Sequence, residues 1–126
     1  MIGSVYFIRC NEYVKIGFAV DVNHRLCVLQ VGCPHDLALV AVLADVAPSM
    51  ERIVHETFAE NHARGEWFKA DDRLETLIAA INLGMQPKNA DALDRLMNPR
   101  RWTRKQRQKV RAEYFERLAE KRKAAL

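Results

Sequence analysis

Apolar and polar positions alternate with period two near the start of the chain. Residues 4–9 (SVYFIR) and 13–18 (YVKIGF) are rich in β-branched and aromatic side chains and predict two strands joined by a tight turn. Val5 and Phe7 fall on one face of the first strand, and Val14, Ile16 and Phe18 on one face of the second. With Asn11-Glu12 as the loop, Phe7 stands opposite Ile16 and the apolar faces agree. Phe18 then points to the core, whereas Tyr6 and Lys15 project together on the other face as diagonal neighbours.

Further along, the pattern shifts toward helical spacing. Asp21 caps a helix over residues 22–30 whose core stripe is Val22, Leu26 and Leu29, with Arg25 at its boundary and Gly32 as its stop. The apolar run 37–46 (LALVAVLADV) predicts a buried central strand. Ser49 then caps a helix over about residues 50–63, with Met50, Ile53, Val54, Thr57 and Phe58 facing inward and Glu51 and His55 one turn apart on the edge of that face. Arg64-Gly65 ends the helix, and residues 66–69 form a short extended segment. Asp71 or Asp72 opens a third helix to about Leu83, and Asn89 caps a short one over 90–97. Thr103 with Gln106 forms a capping box for the last helix, which carries a narrow apolar stripe of Trp102, Val110, Tyr114, Phe115 and Leu118. These elements make an α+β fold: a small three-stranded antiparallel sheet flanked by helices, with a basic C-terminal helical extension.

Composition adds little to this, but charge adds a good deal. At 126 residues, 49% of them hydrophobic and 29% charged, the chain has the profile of a soluble globular domain, which excludes wholesale disorder. No apolar run reaches the 18 or so residues of a membrane span, and no basic lead precedes an apolar core, so a cytoplasmic protein with no membrane partner is expected. Residues 1–98 hold 9 Lys and Arg against 13 Asp and Glu, whereas residues 99–126 hold 11 against 3. A mildly acidic body with a basic arm points to a polyanionic partner. In that arm Arg104, Lys105, Arg107, Lys109 and Arg111 are candidate nucleic-acid contacts, joined from the body by Arg25 and Arg64. The apolar stripe of the arm needs burial, either back on the body or in a homodimer.

Three cysteines, Cys10, Cys27 and Cys33, make an odd count without a C-x-x-C pair, which argues against a disulfide framework. His24, Cys27, Cys33 and His35 are zinc-ligand types, yet their spacing matches none of the common zinc patterns, and Cys27 reads as a buried small hydrophobe.

Five elements stand in order: Val5-Tyr6-Phe7, Val14-Lys15-Ile16-Gly17, Arg25-Leu26, Glu51 with His55 one turn on, and Gly65-Glu66-Trp67-Phe68. Together they resemble the GIY-YIG nuclease superfamily, and more closely a compact phage and bacterial branch with VKIG in place of YIG. The resemblance covers about residues 3–83 and divides the chain into a nuclease-like domain, 1–84, and a helical basic extension, 85–126, as a nucleic-acid or dimer contact.

The resemblance implies hydrolysis of DNA phosphodiester bonds at one divalent ion, Mg²⁺ or Mn²⁺, with RNA as a second candidate substrate. Carried over by position, Tyr6 is the catalytic tyrosine, Lys15 stands where a second tyrosine often stands, Arg25 steadies the scissile phosphate and Glu51 binds the metal. His55 is placed with them as a catalytic residue and Glu66 as a supporting carboxylate. A tyrosine with a reference pKa of about 10 is a poor base at neutral pH, so a neighbouring cation has to activate it, and Lys15 is the candidate on the same face. Ser4 replaces the first glycine of the family pattern, and Phe18 follows Gly17 where relatives carry a basic or hydrogen-bonding residue. That second departure supports the alternative of a catalytically weak or inactive nucleic-acid-binding module.

Overall fold

The computed structural model describes the backbone of residues 1–124 and the side chains of residues 1–120. Strands β1 (Gly3–Cys10) and β2 (Tyr13–Ala19) form the expected hairpin, with Phe7 opposite Ile16 and Tyr6 opposite Gly17. Asn11 turns the chain at a φ of 55°, a left-handed conformation that Asn adopts more readily than most side chains. Strand β3 (Ala38–Val46) pairs with the far side of β1. Beyond β2 lie two short strands, β4 (His62–Arg64) and β5 (Trp67–Lys69), giving the antiparallel order β3-β1-β2-β5-β4.

The sheet therefore has five strands rather than the three expected. The two extra strands hold three residues each, too few to show alternation, and Gly65 at a φ of 55° turns the chain between them. Their formation also shortens the helix expected over 50–63. Helix α2 (Ser49–Thr57) stops at Phe58, and a single 3₁₀ turn, Ala59–Asn61, leads into β4. Ser49 is the first helical residue and provides no side-chain cap; Pro48 holds the cap position.

The apolar run of β3 read as a central strand, yet β3 lies at the edge. Its outer backbone groups are met by side chains instead of a neighbouring strand. The Gln86 amide accepts from Ala44 N–H at 2.9 Å and donates to Val42 C=O at 3.2 Å. Lys88 Nζ donates to Ala44 C=O at 2.6 Å, and Asn82 donates to Val40 C=O at 2.9 Å. Covering an edge in this way blocks pairing with another chain, so the strand can be as apolar as an interior one.

One face of the sheet carries Val5, Phe7, Val14, Ile16, Leu43 and Phe68 into the core. Met50, Val54 and Phe58 of α2 close it, together with Leu74, Leu77 and Ile78 of α3 (Asp72–Asn82), whose Asp71 cap accepts from Leu74 N–H at 2.9 Å. Helix α4 (Ala90–Leu96) adds Leu93 and Leu96 to the same cluster. Helix α5 (Arg104–Ala124) opens with the capping box in both directions: Thr103 N–H donates to the Gln106 side chain and Gln106 N–H to Thr103 Oγ1. Part of its stripe turns onto the body, whereas Phe115 is 52% exposed. Val110 is 3% exposed, Trp102 and Tyr114 pack on the core, and the Tyr114 hydroxyl donates to Asp72 at 2.6 Å.

The opposite face is covered more thinly, by α1 (Val22–Val31). Asp21 caps that helix as expected, accepting from His24 N–H. None of its residues is buried; Val22, Leu26 and Leu29 are half-covered, and Cys27 is exposed rather than buried. The sheet residues Tyr6 and Ile8 on this face are nonetheless fully covered. No helix among the described residues is long and apolar enough to cross a membrane.

Candidate functional site

The site forms where β2 loses its neighbour. Strand β5 pairs with β2 only as far as Lys15, opposite Trp67, and from Ile16 onward the β2 edge faces no strand. Buried backbone groups require partners, and three residues supply them. Ile16 N–H donates to Glu66 C=O at 2.9 Å. Ile16 C=O accepts from His55 Nε2 at 2.7 Å. A backbone hydrogen bond from Phe18 reaches the Glu51 carboxylate. Glu51 and His55 are one turn apart on α2, so a single helix edge serves two successive groups of the strand. A carbonyl only accepts, so the His55 proton sits on Nε2; the ring is held edge-on against Phe68 at 4.9 Å. His55 thus positions β2 and α2, with Glu51 Oε1 3.7 Å from its Nε2.

Tyr6 lies on the other face of the sheet, 1% exposed, directly opposite Gly17. A methyl group at Gly17 would come within 2.2 Å of Tyr6 Oη, so the glycine of the second motif makes room for the phenol of the first. Arg25 reaches down from α1 to hydrogen-bond the Tyr6 hydroxyl. Burial raises the Tyr6 pKa above its ordinary value, and Glu66 and Glu51 add to the rise; the Arg25 guanidinium opposes them without prevailing. The phenol is neutral at neutral pH.

Two sequence expectations change here. The cation on Tyr6 is Arg25, not Lys15. Lys15 leans the other way, its Nζ 3.4 Å from Glu66 Oε2 and 5.4 Å from the centre of the Trp67 ring. The net effect on Tyr6 is also opposite to activation as a free phenolate, because desolvation outweighs the neighbouring charge.

Glu66 comes within hydrogen-bonding reach of Glu51. Burial lifts the Glu51 pKa, and the charge and hydrogen bond of Glu66 lift it further, while His55 and the Phe18 amide pull it down. Two neighbouring carboxylates, one of them paired with Lys15, make a donor set of hard oxygens. No group of three or more His, Cys, Asp and Glu able to hold a metal occurs among the described residues. A two-carboxylate set fits a Mg²⁺-like ion, which keeps several waters and takes further oxygens from a phosphate. The zinc-ligand types His24, Cys27, Cys33 and His35 do not gather; Cys33 lies against Cys10 instead.

The remaining candidates are placed apart. Arg64 is exposed on β4, opposite Trp67 and on the Tyr6 face. Arg104, Lys105, Arg107, Lys109 and Arg111 are exposed on α5, which packs through Val110 on the core face, behind the sheet from Tyr6. Arg107 is engaged locally, its Nε donating to Pro99 C=O at 3.0 Å.

The family model described as the T5orf172 domain matches residues 3–84, well over half of the chain. The chain belongs to the T5orf172 domain family. Comparison with curated proteins and with solved structures returned no match. Within the T5orf172 domain lie Tyr6, Lys15, Gly17, Arg25, Glu51, His55 and Glu66, whereas α4 and α5 lie outside the matched residues. The sequence had flagged Glu66 only as support; its place against Glu51 follows from the Gly65 turn, which swings residue 66 back beside Ile16.

Two outcomes follow from this geometry. Gly17→Ala is expected to lower unfolding free energy by about 1–3 kcal/mol in urea titration, because the Tyr6 ring has to move; an unchanged midpoint contradicts the packing described. The second concerns pH. The folded-state pKa of Glu51 lies above its ordinary value, so the folded form holds more protons between the two values, and stability falls as pH rises through that window. The neutral Glu51→Gln therefore melts at a higher temperature than the wild type at pH 8. The difference closes below the ordinary carboxylate pKa, where both side chains are uncharged. A lower melting temperature for Glu51→Gln at pH 8 contradicts this.

Proposed function

We propose that this T5orf172 domain is a divalent-metal-dependent endonuclease that hydrolyses DNA phosphodiester bonds by a one-metal mechanism of the GIY-YIG type. The observation that carries the reading is the convergence of the Tyr6–Arg25 pair and the Glu51–Glu66 pair at one end of β2. A neutral hydroxyl, a guanidinium and paired carboxylates are the groups that phosphodiester hydrolysis uses. Family membership supports the coarser reading of a nuclease or DNA-binding role.

Glu51, with Glu66 beside it, would hold Mg²⁺ or Mn²⁺, and such an ion supplies Lewis acidity toward the oxygens of the phosphate when bound. Arg25 is exposed apart from its contact with Tyr6 and is free to bond a non-bridging phosphate oxygen. The Tyr6 oxygen already accepts from Arg25. Tyr6 is 1% exposed, so its oxygen meets the attacking water where Arg25 draws aside to the phosphate. One lone pair then accepts from that water, and the phenol's own proton is available to a phosphate oxygen. A phenol placed in this way orients the water and passes protons without first ionising, which suits its raised pKa. Lys15 screens Glu66 and limits repulsion within the carboxylate pair. His55 acts by position, holding α2 against β2. The basic residues of α5 lie behind the sheet and serve as a separate contact for DNA backbone.

A non-catalytic DNA-binding module is the second reading, and Phe18 favours it. Its ring packs on the core and over Gly3, so it offers no hydrogen-bonding group to the site.

Nicking of supercoiled plasmid and cutting of labelled single strands, with Mg²⁺, Mn²⁺ or EDTA, separates the two. Metal-dependent cutting is expected in the wild type, reduced about 10²-fold or more in Glu51→Ala and in Tyr6→Phe. Cutting that survives Glu51→Ala overturns the site assignment. Bound but uncut DNA under every condition establishes the binding module.

A further inference from the structure

The sheet face that carries Tyr6 continues past the proposed site into a cavity of about 510 Å³. Strand pairing fixes which residues share this face. Tyr6 is opposite Gly17, Cys10 opposite Tyr13, Lys15 opposite Trp67, and Trp67 opposite Arg64. Paired residues point to the same side. Tyr13, Trp67 and Arg64 line the cavity, with Asn11 from the β1–β2 turn and His35 from the loop after α1. Its volume falls within the ~300–1,000 Å³ of small-ligand sites, and most of its lining is apolar, with a few polar groups among it.

A chain of side-chain contacts links the cavity to the proposed catalytic groups. Glu51 meets Glu66, Glu66 pairs with Lys15, and Lys15 lies over the Trp67 ring. Lys15, opposite Trp67, is two residues from Gly17, or about 7 Å along the strand. Tyr13, four residues from Gly17, lies about 13 Å along, so a strand with one phosphodiester at Tyr6 and Arg25 reaches the cavity one to two nucleotides on.

We propose that this cavity is a subsite for an unpaired nucleobase of the DNA strand being cut; the proposal rests on the nuclease reading for its substrate. A nucleobase is a flat apolar plate with a polar edge. Tyr13 and Trp67 offer aromatic surface to the plate, Asn11 and His35 offer donors and acceptors to its edge, and Arg64 offers a cation to the flanking phosphate. Arg25, Lys15, Arg64 and Lys69 place positive charge along this one face, although the body as a whole is acidic. A base held in a duplex stack cannot enter such a cavity without being flipped out, so the subsite selects single-stranded or frayed DNA over intact duplex.

The test is binding in EDTA, where nothing is cut, using a short oligothymidylate and a closed duplex hairpin of the same length, with intrinsic tryptophan fluorescence as the readout. Trp67 and Trp102 are the two tryptophans. The single strand is expected to quench fluorescence, with the quench retained in Trp102→Phe and lost in Trp67→Phe. Tyr13 is 37% exposed, so Tyr13→Ala leaves the core intact; this change should weaken single-strand binding about tenfold and leave duplex binding unchanged. Equal quenching by single strand and duplex, no quenching by either, or full affinity in Tyr13→Ala overturns the subsite. Quenching by single strands in a protein that never nicks keeps the subsite and removes the nuclease. Duplex nicking without any single-strand quench does the reverse.

Discussion

Half of one edge of β2 has no strand beside it, and the site is built from what fills that gap. From Ile16 onward the strand needs donors and acceptors that β5, three residues long, cannot reach. His55 and Glu51 provide them from α2, and the Glu66 carbonyl provides one from the turn before β5. Satisfying the backbone therefore brings a carboxylate to the end of the strand, and the same turn brings a second carboxylate beside it. The packing core and the candidate chemistry share this boundary: Ile16 is fully buried, and its neighbour Gly17 accommodates the Tyr6 phenol on the other face.

The two faces of the sheet are used differently. The core face is closed by α2, α3, α4 and α5 around one continuous cluster, which gives the sheet a rigid back. The Tyr6 face has only α1, none of whose residues is buried, and Arg25 is its most consequential contact. A rigid scaffold beneath that face is a favourable setting for a site whose groups must be held in place. The electrostatics run against stability there. Partly buried carboxylates face one another, so the folded state carries a repulsion that a bound cation or a proton would relieve. Like charge only partly offset by Lys15 and His55 is a feature that functional sites share.

Much of this was legible in the chain. Period-two alternation sets the β1–β2 register, so Phe7 opposite Ile16 and Tyr6 facing away from the core follow from the residues alone. Side-chain chemistry marks the helix starts at Asp21, Asp71, Asn89 and Thr103. Other features were hidden for physical reasons. β5 shows only as the extended segment 66–69 and β4 not at all, both too short to display a period. β3 looks interior because Gln86, Asn82 and Lys88 cover its edge from more than forty residues away. That Arg25 rather than Lys15 holds Tyr6 depends on how α1 crosses the sheet, which no local pattern encodes. Glu66 reaches Glu51 through a turn at Gly65, and the exposed Cys27 belongs to a helix none of whose residues is buried.

The central claim is that Glu51 and Glu66 form the cation site of a phosphodiesterase face. Crystals of the wild-type protein grown with Mn²⁺ test it most directly, through anomalous scattering recorded at the manganese edge. The account predicts one dominant peak within coordination distance of both carboxylates, absent in crystals of Glu51→Gln. A dominant peak elsewhere on the molecule, or none at saturating Mn²⁺, would contradict it.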